Sequence, residues 1–572
     1  MHVVVAAPSS GPEAAAAVDV GGVAAAEAER GARPRWTWVD TNLWYPGLLR
    51  AGVRVDRCHD LRLAHRVLRS SAWSAASGLA QQPAGAWDAL PPVPAGGVVP
   101  PDDEGGTLFD LEPAPRAAGP GGADAHLDGP ACRTELAAQL DAVATSLAPG
   151  RLRLLLAAES AGALAAAEMH RAGIPWDSVR HDDVLREHLG ARPAPGARPA
   201  RMDELAAQVR AALDAPTLNP DSLPDVLRAL RRTGLAVTST RSWELRQVDH
   251  PAIEPLLAYK KLSRLFSANG WAWLDAWVRD GRFRPEYVVG GVVTGRWGSS
   301  GGGALQVPKQ VRDAVRADPG WVFVVADAAQ LEPRVLAGLA HDDRMAEAGR
   351  GTDLYQGMVD TGVVESRAHA KVGMLGAMYG GTTGSSAAVL PRLARAFPAS
   401  LALVEDAARA GERGDVVTTL LGRTSPRPGA SWHETQVLAQ SDDADAGAES
   451  KARAQTRAWG RFTRNFVVQG TAAEWALCWI AEVRRRLWDL GDADVPGEEA
   501  RVPAPFTGRP HLVYFLHDEL VVHTPAPLAE AVAAQVTEAA AASGRLLFGD
   551  FPVDFPVSVG ISRSYGEAKD GG

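Results

Sequence analysis

The chain has 572 residues, and its 46% hydrophobic and 22% charged composition marks a globular protein of several domains rather than a disordered one. Lys and Arg number 59 against 68 Asp and Glu, a net charge of −9; this excludes a small basic nucleic-acid-binding module, but not a large enzyme that focuses positive charge in one cleft. Three scattered cysteines, Cys58, Cys132 and Cys478, exclude a Cys-based zinc motif and a disulfide framework. No apolar run reaches the ~18–20 residues of a membrane span. The start, MHVVVAAPSSGPE, lacks the basic n-region of a secretory signal, so a cytoplasmic protein with no membrane partner is expected.

Residues 1–83 mix short apolar segments with small residues. Residues 84–131, with PPVPAGGVVPPDDEGG and EPAPRAAGPGGADAHLDGP, have little to bury and read as a flexible insertion. A helical pattern runs from about Glu135 to Arg171 and stops at Gly173, with Pro175 just beyond. Amphipathic helices continue through 200–280, including LLAYKKLSRLFSANGWAWL. WVFVVADAAQ (321–330) is an apolar strand ending in an acid, and 364–380 reads as one helix ending at Gly380–Gly381. HLVYFLHDELVVHT (511–524) is two strand-like runs around a short polar centre, the mark of a tight β-hairpin. Strands interleaved with long helices predict an α/β or α+β assembly.

Three features carry chemistry. Asp327 ends an apolar strand, and Asp518 sits at the hairpin tip between His517 and Glu519. Carboxylates on neighbouring strand ends can share two Mg²⁺ ions roughly 3.5–4 Å apart, the arrangement used in phosphoryl transfer. Taken alone the His-Asp dipeptide is weak, since it also occurs at His59–Asp60, His181–Asp182 and His341–Asp342; only the 517–518 copy lies inside a hairpin, and without that context a polar turn is an equal reading. Arg367, Lys371, Leu375 and Tyr379 recur every four residues on one helical face, about 18 Å from end to end. That length suits a triphosphate at one end and a base near the other; the alternative is a basic amphipathic helix. Arg461, Asn465 and Gln469 form a second ladder of long donors, suited to the acceptors that every base pair offers in the minor groove, or else an ordinary polar face. The clusters Lys451, Arg453, Arg457, Arg461, Arg464 and Arg484–Arg486 read, on their own, as solvated helix faces.

In this order the segments resemble family A DNA polymerases, the bacterial DNA polymerase I type. TGRWGSSGGGALQ (294–306) looks like the family's TGR-x-SS…NLQ, and DAAQLEPR (327–334) its first metal motif; RAHAKVGMLGAMYGG matches R-x3-K-x3-F-x3-Y-G in spacing. RFTRNFVVQGTAA resembles R-x3-N-x3-Q-G-T-A-A, and LHDEL the V-H-D-E-L hairpin. The resemblance implies a right-hand polymerase fold preceded by a degenerate RNase H-like 3′–5′ exonuclease domain. It places that domain at 1–150 and the polymerase at 151–572, with thumb about 151–290, palm about 291–340 and 455–572, and fingers about 341–454. Asp327 and Asp518 would hold two Mg²⁺, with Glu519 close by; Glu332 would be the steric gate against a ribose 2′-OH, with Gln330 beside the nucleotide. Arg367 and Lys371 would hold the triphosphate, Lys371 placed to protonate pyrophosphate, while Leu375 and Tyr379 would face the base pair. Arg296, Gln306, Arg461, Asn465, Gln469 and His517 would line primer and template. The expected partners are primer–template DNA and dNTPs, for a monomeric enzyme associated with the nucleoid.

Departures from the pattern are equally legible. Leu375 stands where the family has Phe or Tyr, Ala328 replaces an aromatic, Pro333 follows the gate residue and is expected to bend its helix, and Gly301–Gly303 is foreign to the segment. In the amino-terminal part, DTNLWYPGLLRAGVRVDRCHDLRLAHRVL looks only weakly like the exonuclease domain, with Pro46 at or beside the place of a catalytic Asp. No Asp-x-Glu precedes it (Asp110 and Glu112 fall in the insertion), no Tyr-x-x-x-Asp lies near Asp141, and a 5′-nuclease domain is not expected within these residues. Proofreading is therefore not expected. The alternatives are a DNA-binding scaffold with a relic site, and a single-subunit RNA polymerase, which Glu332, Gln469 and His517 disfavour.

Overall fold

The computed structural model describes residues 3–6, 16–18, 20–29, 34–93, 129–300, 307–351, 353–381, 385–441, 445–494 and 501–570. Gln306, Gly301–Gly303 and most of the 84–131 insertion lie outside these residues.

Among the described residues the amino-terminal unit contains a four-stranded sheet. Strand β1 (Val3–Ala6) pairs antiparallel with β2 (Ala16–Val18) and with β3 (Arg35–Trp38), and β3 pairs in parallel with β4 (Arg57–Asp60). Helix α1 (Thr41–Arg50) makes the crossover between the parallel strands, and α2 (Leu61–Ser70) and α3 (Gly129–Ala144) follow. The helix expected over 135–171 is in fact two: α3 ends at Ala144, and α4 (Pro149–Ala172) begins at a proline in its first position. Pro149 disfavours helical geometry at the residue before it, and Ala148 has φ −144° and ψ 75°.

Helix α4 is the hinge of the packing. Leu164, Ala167 and Ala172 share a core with Trp36, Trp38 and Tyr45 of the amino-terminal unit, while Ala163, Ala166 and Met169 enter the core of the carboxy-terminal half. Beyond it α5 (Ala200–Ala212), α6 (Leu223–Arg232) and α7 (Ile253–Asn269) form a helical projection whose Val209, Val226, Leu230 and Leu256 make a core of their own.

A second sheet has the order β6 (His511–Leu516), β7 (Glu519–Pro525), β5 (Trp321–Ala328), β8 (Val557–Ser562), all antiparallel. Strand β5 reads as an unbroken apolar run because both of its faces are covered. Val324, Ala326 and Ala328 point into one core, and Trp321, Phe323 and Val325 into the other, at the two-residue period of a strand. Helix α8 (Leu331–Ala340) follows β5, and α9 (Arg367–Tyr379) and the 44-residue α10 (Ala446–Asp489) come later. In α10 Ala472, Trp475, Ala476, Trp479, Ile480 and Val483 recur at helical spacing and are buried, with α11 (Ala529–Phe548) across from them. The short α12 (Tyr565–Asp570) closes the described chain.

The Arg484–Arg486 run is not the solvated face its composition suggests. Arg484 is 5% exposed and donates to Glu168 of α4 at 2.9 and 2.6 Å and to the carbonyl of Asp56 at 2.7 Å. Tyr45 donates its hydroxyl proton to the same carboxylate at 2.6 Å, and Arg54 lies 3.4 Å from it. Two guanidinium groups around one buried acid join the amino-terminal unit to α4 and α10. Arg485 and Arg486 do remain on the surface side, paired with Glu482.

Candidate active site

Register places the acids. In the β5–β7 pair Asp327 lies opposite Glu519, and the two-residue loop His517–Asp518 joins β6 to β7 with Leu516 opposite Glu519. The Ala328 amide donates to the Asp518 carbonyl at 2.9 Å, so the hairpin tip is pinned to the end of β5 and the two aspartates are neighbours. Both ends are held in left-handed backbone: Gln330 at φ 48° and His517 at φ 57°. Non-glycine residues pay steric strain there, and such positions concentrate at functional sites. Arg334 fixes the strand end by donating to the carbonyls of Ala329 (2.9 Å), Gly349 (2.7 Å) and Asp554 (3.1 Å).

The carboxylates crowd one another. Burial, and then the charge of Asp327, push the Asp518 carboxyl up to about 6, against the pull of Arg296. Burial also raises Asp327, opposed by Lys569, whose ammonium is 3.7 Å away. Glu519 is 1% exposed; Tyr565 donates to it at 2.5 Å, and Lys569 forms an ion pair with its other oxygen. Negative charge gathered at adjacent strand ends, partly relieved by one lysine, offers hard oxygen donors of the kind divalent cations take, and Asp327 and Asp518 are the residues that would hold them. Among the described residues, however, no group of three or more His, Cys, Asp or Glu side chains is assembled around a metal position.

Four of the motif residues form one hydrogen-bonded chain. Arg296 donates to Glu332 at 2.5 Å, Tyr379 donates to the other Glu332 oxygen at 2.7 Å, and Gln469 donates to the Tyr379 hydroxyl at 3.2 Å. Burial, and then Glu332, push the Tyr379 phenol up to about 12. Four separate segments (the TGR loop, α8, α9 and α10) thus meet beside the acids. Gly295 is required in this loop: at φ 86° its Cβ would lie 2.5 Å from Arg423 Nε. Pro333 costs its helix no hydrogen bond. It is the third residue of α8, where the amide has no intrahelical partner in any helix.

Helix α9 begins at its Ser366 cap and ends where Gly380 takes φ 76°, within the expected span. Ala370, Gly373, Met374, Ala377 and Met378 are buried, and Arg367, Lys371 and Leu375 are exposed on the other face. Arg367 donates to Asp353 at 2.6 and 3.1 Å and lies over the Tyr355 ring. Gln330 also donates to Asp353, at 3.1 Å, so this acid gathers two of the residues expected at the nucleotide. In α10 Asn465 and Gln469 are 9% and 8% exposed and Arg461 is exposed, while Arg464 turns away to the Ala377 carbonyl at 3.0 Å. His517 is exposed at the hairpin tip. Sequence reasoning missed Asp353, Tyr355, Arg423 and Lys569. Asp353 alone left a local signal, as the cap of the helix Leu354–Asp360.

The family model described as DNA polymerase family A matches residues 206–567. "DNA polymerase I, thermostable" of Thermus filiformis is 27% identical over 371 residues, covering 59% of this chain and 39% of that protein. The Thermus aquaticus protein of the same description is also 27% identical, with 59% and 39% covered, and DNA polymerase I of Chloroflexus aurantiacus is 26% identical over 330 residues, with 52% and 31% covered. The chain therefore spans well under half the length of these relatives. Among solved structures, the POL domain of Pol1 from M. smegmatis, in complex with DNA primer-template and dNTP, superposes with a TM-score of 0.59 at 20% identity, covering 77% of this chain and 75% of that one. The chain belongs to DNA polymerase family A and has the mixed α/β right-hand polymerase fold. Among the described residues no single helix is long and apolar enough to cross a membrane.

Proposed function

We propose that this chain is a template-directed DNA polymerase that extends a primer 3′-OH with dNTPs, acting as a monomer and using two Mg²⁺ held by Asp327 and Asp518. The observation that carries the reading is the meeting of Asp327 and Asp518 at adjacent strand ends, next to the Arg296–Glu332–Tyr379–Gln469 chain. Bound divalent cations would supply the Lewis acidity that activates a hydroxyl and neutralises charge in phosphoryl transfer. The remaining work falls to side chains of this protein. Arg367 and Lys371, exposed one turn apart on α9, bind phosphate oxygens, and Lys371 gives a proton to the departing pyrophosphate. Glu332, held from both sides by Arg296 and Tyr379, fills the space beside the sugar and excludes a 2′-OH, and Gln330, bonded to the same Asp353 as Arg367, lies on the nucleotide side. Leu375 and Tyr379 border the base pair, and Arg461, Asn465, Gln469, His517, Arg296 and Gln306 follow the minor groove and backbone of the duplex.

The relatives are named as DNA polymerases, and the structural neighbour was solved with primer-template and dNTP, which supports the same class of partner here. A primer–template incubated with Mg²⁺ and dNTPs, and in parallel with NTPs, tests the reading. Extension that copies the template with dNTPs and stalls with NTPs is expected. Failure to extend, or equal use of NTPs, would overturn it.

A further inference from the structure

We propose that Lys569 is a positioning residue of the carboxylate site: its ammonium occupies Asp327 in competition with divalent cations, and so sets how tightly the site takes up metal. The inference rests on the reading of Asp327 and Asp518 as metal ligands. Helix α12 is built to deliver this lysine to the acids. Tyr565 and Ala568 are 1% and 2% exposed and belong to the core against β5 and β7. The helix is pressed onto β8 so closely that a Cβ at Gly560 would stand 1.8 Å from the Ala568 carbonyl oxygen. Lys569, the next residue, is thereby aimed at the sheet end rather than at solvent. Its ammonium pairs with Glu519 and lies 3.7 Å from Asp327.

Glu519 is closed off by Tyr565 and Lys569, so its carboxylate anchors the lysine instead of opening toward a substrate. One ammonium then serves two acids, the buried Glu519 and the half-exposed Asp327. A dication arriving at Asp327 displaces the ammonium from that partner only, because Glu519 retains it. The site is kept electrically satisfied and geometrically ready before metal enters, at the cost of affinity for the metal. Removing the ammonium leaves Asp327 unneutralised, and the site should bind cations more strongly.

The test is Mn²⁺ titration of the full chain without DNA, with free Mn²⁺ read by electron paramagnetic resonance. Lys569→Met should bind Mn²⁺ about tenfold more tightly than the natural protein, whereas Lys569→Arg, which keeps the charge, should stay within about twofold. Should Lys569→Met fail to fold, Lys569→Gln, with a similar stem and a hydrogen bond for Glu519, carries the same expectation. A merely structural lysine would give weaker binding when removed, so unchanged or weaker Mn²⁺ affinity in the neutral variants overturns the inference. Mn²⁺ binding by the natural protein that is absent, or indifferent to Asp518→Asn, would instead overturn the metal-ligand reading beneath it.

Discussion

Lys371 and Glu474 show how differently two charged side chains can be used in one protein. Lys371 is exposed on α9, one turn from Arg367, and its charge is available to a phosphate. Lys371→Ala should lower the rate of nucleotide incorporation about a hundredfold and weaken dNTP binding, because the leaving pyrophosphate loses its cation. Unchanged single-turnover kinetics would reduce α9 to a basic surface. Glu474 is fully buried in α10, where it accepts from the hydroxyl of Thr419 and from the Leu421 amide at 3.0 Å, and burial pushes its carboxyl up to about 7. A raised acid binds its proton more tightly in the folded than in the unfolded chain, so folding stability should fall as pH rises from about 4.5 to 7, by up to about 3 kcal/mol. Thermal melting of Glu474→Gln should lack that part of the decline; parallel pH profiles for variant and natural protein would contradict the assignment. Residue type and spacing mark Asp327, Lys371 and Asp518 as candidates in the sequence. Asp353 and Lys569 are not so marked, because their partners are brought to them only by the fold.

Among elements, those whose burial pattern is local were readable and those shaped by distant contacts were not. Strand β5, the hairpin and α9 announce themselves through an apolar run, a polar tip and a capped four-residue ladder. The break between α3 and α4 hid inside an alanine-rich helical pattern, with Pro149 as its one signal. Arg484 looked like part of a solvated run because nothing near it in the sequence reveals Glu168, which lies 316 positions away. That knot gives α10 a fixed seat on α4 and the amino-terminal unit. Arg484→Met should destabilise the protein by about 3–5 kcal/mol, since it strips Glu168 of its main counter-charge in a buried place. Urea unfolding reads this directly. Replacing the whole buried set, Glu168→Leu with Arg484→Met and Arg54→Met, should recover a large part of the loss, since Arg54 shares the same carboxylate, and a triple variant no better than the single one would argue against a charge effect.

Across the whole molecule, the amino-terminal unit keeps a fold while its acids are engaged in holding that fold. Asp40 is 1% exposed, caps α1 by accepting from the Asn42 amide at 2.7 Å, and pairs with Arg62. Asp60 is fully buried and accepts from the Thr41 amide and hydroxyl, each at 2.7 Å, and from the Leu63 amide at 2.9 Å. Pro46 lies within α1, and Asp141 is exposed on α3. We infer a platform for the polymerase half rather than a nuclease: a labelled mispaired primer incubated with Mg²⁺ and no dNTPs should keep its length. Steady 3′ shortening that Asp40→Asn or Asp60→Asn abolishes would reverse this reading. The central claim, that Asp327 and Asp518 serve templated nucleotide addition, is tested most directly by single-turnover incorporation opposite a defined template base, for the natural protein and Asp518→Asn together. The natural protein should add the complementary dNTP, and the variant should bind the same duplex with similar affinity yet add it at least about a thousandfold more slowly. A variant within a fewfold of the natural rate would contradict the claim.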